Sequence, residues 1–109
     1  MKVFISQPMR GKTDEEILAE REQVIKEIMA THPDAEVIDS FLDKDIPEKH
    51  IGVKCLARSI EMLDDADEVW FMDGWQDARG CRIEHDIAEA YNIPIHHDSW
   101  RRYEIDRCR

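Results

Sequence analysis

The chain has 109 residues and a formal net charge of −10 at pH 7, so it is long enough for one folded domain and too short for two. A hydrophobic fraction of 42% argues against intrinsic disorder, and the acidic balance argues against a nucleic-acid polymer as partner, because such binding needs a basic surface. A small nucleotide is not excluded, since a few local cationic side chains and helix N-termini can hold one phosphate.

Cysteine usage and the first residues bear on the compartment. Three cysteines, Cys55, Cys81 and Cys108, show no C-x-x-C spacing, which favours reduced thiols over a disulfide framework or a zinc site. The apolar run at residues 3–5 is too short for a signal peptide or a membrane span. We therefore predict a cytoplasmic protein without a membrane partner.

The first half of the chain predicts a strand, a helix and a second strand. Residues 2–6 read as a buried strand, and Pro8 and Gly11 then interrupt regular structure. Thr13 and Glu16 have capping-box spacing, and the helix that they begin is expected to end near residue 30. Its inward face is predicted to be apolar, through Ile17, Leu18, Val24, Ile25, Ile28 and Met29. A second strand at 35–40 and a long connection at 41–52, of the kind that often binds ligands, follow.

The second half predicts a helix, a central strand, a loop, a third helix and a last short strand. The helix at 53–65 has Leu56, Ile60 and Leu63 facing inward, and the strand at 67–72 is apolar enough to be covered on both faces. The loop spans 73–80, the third helix ends near Asn92, which suits a left-handed cap, and the last strand is 94–97. We predict one domain at 1–98 and a tail at 99–109 that forms a short helix, docks at an oligomer interface, or frays.

This alternation of strands and helices predicts a three-layer α/β domain. Right-handed crossovers give a four-stranded parallel sheet with helices on both faces, and we expect the flavodoxin- or Rossmann-like strand order 2-1-3-4. The switch point then lies between the first and third strands. Because the loops 7–12 and 73–80 leave the carboxyl ends of those strands, they should meet there and form a binding crevice.

Glu84 is the candidate at the centre of this crevice. On a helical wheel at about 100° per residue, it falls next to Tyr91 at the edge of the apolar arc marked by Ile83, Ile87 and Tyr91 and is predicted to face inward, whereas His85 falls outside. An inward carboxylate is unusual and is expected where a helix faces a cavity. The alternative is a Glu that complements the helix dipole and reaches solvent.

Cationic side chains near both loops are candidates for a phosphate site. Arg10 and Lys12 flank Gly11, while Arg79 and Arg82 lie where the third helix begins. Together they could hold a phosphate. Each of them alone is better explained as a solvated surface residue.

The second loop offers further candidates. Asp73 and Asp77 could hydrogen-bond ribose hydroxyls or polarise a nucleobase, although Asp77 could equally be the N-cap of the third helix. Trp75 could stack on a base. Gly80 lets a ligand come close, or it serves helix–sheet packing.

Patterns for other chemistry are missing from the sequence. Adjacent residues of a strand point to opposite faces, so His96 and His97 cannot chelate one metal together. The sequence contains no H-x-x-x-H, H-E-x-x-H, G-x-G-x-x-G, G-x-x-x-x-G-K-[ST] or G-x-S-x-G pattern. We therefore expect neither a metal nor a cofactor.

Two segments resemble a known family. Residues 4–12, FISQPMRGK, and residues 66–90, with an Ala-Asp before the strand and Gly80-x-x-x-Glu84-x-x-x-Ala88 after it, resemble small nucleoside 2-deoxyribosyltransferase-like proteins of bacteria and phages. That superfamily also includes 2′-deoxynucleoside 5′-phosphate N-hydrolases, which are closer to this chain in length. The resemblance extends over nearly the whole chain.

The resemblance implies chemistry at an N-glycosidic bond. Glu84 matches the family's nucleophile, which attacks C1′ to give a glycosyl-enzyme that a second base or water resolves. The segment from Ser6 through Gln7 to Lys12 matches the part that binds the nucleotide. Related enzymes complete their sites across a subunit interface, so a homo-oligomer is expected.

The chain departs from the family pattern at two positions. Ser59 stands where many members carry an Asp near the sugar and base, and Phe4 stands where many carry a Tyr. Asp73 or Asp77 would then have to protonate the leaving base. One alternative is therefore a nucleotide-binding module without catalysis, and another is an NAD-cleaving relative of Toll/interleukin-receptor-like domains, which also use a Glu at the end of such a sheet.

Overall fold

The computed structural model describes residues 1–39 and 51–97. Strands and helices alternate along the chain, with a 3₁₀ turn at Trp75–Asp77 before the last helix. The elements are β1 (Lys2–Ser6), α1 (Asp14–Thr31), β2 (Glu36–Val37), α2 (Ile51–Asp64), β3 (Glu68–Phe71), α3 (Arg79–Ala90) and β4 (Ile95–His97). Most of the predicted connection 41–52 and the whole tail 99–109 lie outside the described residues.

The four strands form one parallel sheet in the order β2-β1-β3-β4. The predicted α/β class and strand order are confirmed. In the register, Ser6 at the end of β1 is opposite Phe71 at the end of β3. The two loops that follow these strands therefore leave the sheet side by side, at the switch point of a flavodoxin-like order.

Apolar side chains cover both faces of the sheet, as three layers require. One cluster packs α1 on the sheet and comprises Val3, Ile5, Val24, Ile28, Trp70 and Met72. The other lies on the side of α2 and α3 and comprises Phe4, Leu63, Val69 and Phe71. Alternate residues of β1 serve opposite clusters, which is the period-2 geometry of a strand.

Helix α1 begins as predicted but buries a narrower face. The Thr13 hydroxyl accepts from the Glu16 amide and the Glu16 carboxylate accepts from the Thr13 amide, both at 3.2 Å, which is the capping box. Leu18 and Met29, expected to face inward, are exposed. Arg21 is buried instead and donates to the Ile38 carbonyl at 2.9 Å. Its guanidinium thus provides a hydrogen-bond donor for a backbone carbonyl just after β2.

Helix α3 is rotated relative to the predicted apolar arc. Its buried residues are Cys81, Glu84, His85 and Ala88, whereas Tyr91 is 76% exposed and Ile83 is 36% exposed. The prediction of Glu84 as inward is confirmed, but the inward prediction for Ile83 and Tyr91 and the outward prediction for His85 are wrong. The difference corresponds to a rotation of the helix by about one residue, or 100°.

Smaller differences concern element ends. Strand β2 is two residues long, although the Ile38 amide still donates to the Val3 carbonyl at 2.9 Å. Asn92 has the positive φ of 57° expected of a left-handed cap. Within the described ranges 1–39 and 51–97, no helix combines the length and apolar character needed to cross a bilayer.

Candidate functional site

A hydrogen bond between Ser6 and Glu84 joins the two halves of the chain. The Ser6 hydroxyl, at the carboxyl end of β1, donates to Glu84 Oε1 at 2.8 Å. Glu84 is the sixth residue of α3 and is 6% exposed, and Ser6 is 1% exposed. The two residues are 78 positions apart in sequence, so only the parallel β1–β3 pairing brings them together.

Burial dominates the electrostatics of Glu84. It raises the pKa of this carboxyl from 4.5 to about 7, and the hydrogen bond from Ser6 acts in the opposite direction. Removal from water disfavours the charged form, whereas a donor stabilises it. Glu84 therefore exchanges its proton near neutral pH, which suits a group that has to be ionised in one step and is held out of bulk water.

Cys81 is a buried neighbour of this pair that the sequence pattern identified only as a reduced thiol. Burial raises the pKa of the Cys81 thiol to about 11; the charge of Glu84 acts in the same direction, and Ser6 and Lys12 act against it. The thiol is therefore protonated at neutral pH. Since the thiolate is the reactive form of cysteine, Cys81 fills space beside Glu84 and does not compete with it as nucleophile.

The first loop divides into a buried and an exposed part. Gln7 is buried, and its Nε2 donates to the Ile17 carbonyl at 2.7 Å, so it ties the loop to α1. Arg10 and Gly11 are exposed, with Gly11 at a φ of 79°. Lys12 lies 2.9 Å from Glu20, so one of the four cations predicted to hold a phosphate already has an acidic partner.

The second loop lies against the first, as the strand order predicts. A Cβ added to Gly74 would lie 3.9 Å from Pro8 Cγ. Asp73 and Asp77 are both exposed, so they lie at the surface of the crevice. One ring face of Trp75 is covered by His85, with centroids 4.0 Å apart and planes 9° apart.

Helix α3 begins without a side-chain N-cap. Its N-cap is Ala78, not Asp77, and no side chain caps it. A Cβ added to Gly80 would meet nothing within 4 Å, so helix–sheet packing does not explain this glycine, and the space beside it is open. Arg79 and Arg82 are exposed, and the first turn has no acidic residue. An uncapped helix N-terminus beside two guanidinium groups favours an anion. The N-terminus of α1 favours an anion less, because Thr13 caps it and acidic residues follow in its first turn.

A shallow groove of about 450 Å³ runs along the outer side of α3. It is lined by Trp75, Gln76, Arg79, Arg82, Ile83, His85, Asp86 and Glu89. Among the described residues, no three His, Cys, Asp or Glu side chains are placed to hold a metal ion.

The two positions that depart from the family pattern occupy different environments. Phe4 is buried in the apolar cluster beneath the sheet's α2–α3 face, so a hydroxyl there would need its own partner. Ser59 lies half-buried on α2. Neither position supplies a carboxylate.

Sequence comparison assigns the chain to a family. A family model described as a domain of unknown function, DUF4406, matches residues 1–97, so the chain belongs to the DUF4406 family. That match spans every described element, from β1 to β4. No curated protein and no solved structure matches the chain.

Proposed function

We propose that the protein cleaves or exchanges the N-glycosidic bond of a (deoxy)nucleoside or its 5′-monophosphate through a glycosyl ester on Glu84. The observation that carries the proposal is the buried Glu84 carboxylate, held by Ser6 at 2.8 Å at the switch point of the sheet. The motif resemblance to nucleoside 2-deoxyribosyltransferase-like proteins gives that carboxylate its role.

The proposed chemistry needs an ionised Glu84. One carboxylate oxygen attacks C1′, the C1′–N bond breaks, and its electron pair leaves with the base, which takes up a proton. Water or a second base then attacks C1′ and releases the Glu84 carboxylate. Because burial raises the pKa of Glu84 to about 7, kcat/KM is expected to rise with pH through about 7.

The substrate would lie across both loops. Asp73 and Asp77 are the proposed donors to the leaving base, in place of the carboxylate that Ser59 lacks. Arg10 and Arg79 are the cations proposed for a 5′-phosphate, since both are exposed, whereas the ammonium of Lys12 already pairs with Glu20. Trp75, which lines the groove along α3, is proposed to stack on the base.

The test is release of free base from a panel of nucleosides, their 5′-monophosphates and NAD. Glu84→Ala should abolish release, whereas Glu61→Gln, which changes an exposed carboxylate on α2, should leave it intact. An acid quench followed by intact-protein mass spectrometry should detect the sugar bound to wild type and not to Glu84→Ala. Full activity in Glu84→Ala would overturn the mechanism.

A second candidate function is nucleotide binding without turnover. A carboxyl whose pKa lies at about 7 is partly protonated at neutral pH and can donate a hydrogen bond to a sugar hydroxyl. Ser59, with no carboxylate, supports the same alternative. Thermal stabilisation by a nucleotide with no base release would favour the binding module, and stabilisation by NAD with nicotinamide release would favour the NAD-cleaving alternative.

A further inference from the structure

Helix α3 carries its charges in the order that its own macrodipole disfavours. Arg79 and Arg82 lie in its first half, and its first turn has no acidic residue. Asp86 and Glu89 lie in its second half, and its last turn has no basic residue. Carboxylates stabilise the start of a helix and cations stabilise its end, as the acidic first turn of α1 illustrates. The charge order of α3 therefore does not stabilise the helix itself.

An anion at the start of α3 accounts for only half of this pattern. It would be attracted by Arg79 and Arg82, but the carboxylates of Asp86 and Glu89 farther along the helix contribute nothing to holding it. A partner that accounts for both halves has the opposite charge order. It presents acidic groups to the two arginines and basic groups to the two carboxylates.

The four charges are spaced symmetrically about Glu84. Arg82 and Asp86 lie two residues before and after it, and at about 100° per residue they point within about 20° of the direction opposite Glu84. Arg79 and Glu89 lie five residues before and after it, within about 40° of that direction. Glu84 is buried, so the opposite direction is outward, and all four side chains are exposed. We call these four residues the charged face of α3.

A second α3 that runs antiparallel has the opposite charge order. When two such helices meet at their midpoints, Arg82 of each copy lies opposite Asp86 of the other, and a two-fold axis repeats the contact. The same register places Arg79 opposite Glu89, whereas parallel helices would place like charges together. Glu89 already lies 2.8 Å from His85 Nδ1, and Arg79 is proposed above for a phosphate. The Arg82–Asp86 pair is therefore the principal contact.

We propose that a second copy of this chain docks on the charged face of α3, with the two helices antiparallel about a two-fold axis and Arg82 of each copy paired with Asp86 of the other. Ile83, which is 36% exposed beside this face, adds apolar contact. The area is small and exposed ion pairs are weak, so the dimer exchanges with monomer. The inference goes beyond the proposed function and does not rest on it, because self-association is measured without substrate.

The net charge of the chain acts against this association. Each copy carries −10, so two copies repel each other at long range. Asp86→Arg makes the net charge less negative by two units, and it would strengthen the dimer if net charge alone decided. If Asp86 faces Arg82 of the second copy, the same substitution weakens the dimer. The sign of the effect therefore separates local pairing from the overall charge.

The test is sedimentation velocity of the full chain between about 10 μM and about 1 mM, where weak complexes dissociate. We expect wild type to pass from monomer to dimer in this range. Arg82→Glu and Asp86→Arg should each raise the dissociation constant by about tenfold or more, because like charges then meet at both symmetry-related contacts. Both variants agree better with the helix macrodipole, so circular dichroism should show α3 intact. Wild type that stays monomeric at every concentration would overturn the proposal.

Two rescue experiments and one control make the test specific. The double variant Arg82→Glu/Asp86→Arg exchanges the charges and should restore association. An equimolar mixture of the two single variants should associate more tightly than either alone, because the acidic face of one meets the basic face of the other. Glu22→Arg, at an exposed position of α1 on the other side of the sheet, makes the same change in net charge as Asp86→Arg and should not weaken the dimer. A dimer that Asp86→Arg strengthens, or a double variant no tighter than the single ones, contradicts the proposal.

Discussion

Replacing Glu84 by glutamine measures the energy of burying this carboxylate. Burial raises the pKa of Glu84 from 4.5 in the unfolded chain to about 7 in the folded one. Between these values the folded state binds more protons, so the stability that Glu84 contributes is complete below pH 4.5 and is lost as the pH rises through about 7. The neutral amide introduced by Glu84→Gln would retain an acceptor for the Ser6 hydroxyl and would carry no charge at any pH.

The size of the effect follows from the pKa difference. At about 1.4 kcal/mol per unit, the rise from 4.5 to about 7 makes ionised Glu84 unfavourable by up to about 3 kcal/mol. We expect Glu84→Gln to be more stable than wild type by up to that amount at pH 8.5, or roughly 10–20 °C in Tm for a domain of this size. At pH 4.5 the two proteins should be nearly equal, since both side chains are then largely neutral.

Urea unfolding of wild type and Glu84→Gln at pH 4.5, 7 and 8.5 tests this expectation. All other titratable groups are the same in both proteins, so their contributions cancel in the difference between the two free energies of unfolding. Glu61→Gln is the matched control, since the Glu61 side chain is exposed and its replacement should change stability equally at all three values. An advantage for Glu84→Gln that is the same at pH 4.5 and 8.5 would show that no desolvated charge is present at residue 84.

Two further predictions concern residues around the site. Ser6→Ala removes the donor that lowers the pKa of Glu84, so the titration midpoint of Glu84, followed by carboxyl ¹³C NMR, should move above 7. The control variant Ser6→Thr keeps a hydroxyl and should retain the wild-type midpoint. A midpoint that is unchanged in Ser6→Ala would refute the role of this bond. Gly74→Ala places a side chain at a φ of 88° and should reduce the free energy of unfolding by about 1–2 kcal/mol. Gly52 lies in α2 with open space around it, so Gly52→Ala should raise the free energy of unfolding by about 0.5–1 kcal/mol. Equal effects of the two substitutions in urea unfolding would contradict the assigned strain.

Expectations that depend on local pattern agree well with the structure. The Thr13–Glu16 capping box has the predicted bonds because capping involves residues three positions apart. The strand order 2-1-3-4 follows from element alternation and the handedness of crossovers. The meeting of the two loops at Pro8 and Gly74 is a direct consequence of that order. The expected homo-oligomer and the cytoplasmic location stay predictions.

Expectations that depend on helix rotation agree less well. The apolar arc of α3 placed Ile83 and Tyr91 inward, and both are exposed, while His85 is buried against Trp75. In α1, Arg21 is in the buried stripe, and its partner is a backbone carbonyl 17 residues away. Hydrophobic periodicity indicates which residues of a helix can be buried. Which face of the helix is buried depends on the residues that pack against it, and these are distant in sequence.

The amino-acid sequence by itself determined the parallel α/β architecture, the adjacency of the two loops and the choice of Glu84 as the central residue, because each follows from local pattern, chain order or motif. Only the tertiary structure decided what surrounds those features. It gave Glu84 its bond to Ser6 and a pKa of about 7, and it brought His85 to His97. The physical reason is that burial and hydrogen-bond partners are properties of contacts between distant segments, which form only when the sheet is assembled.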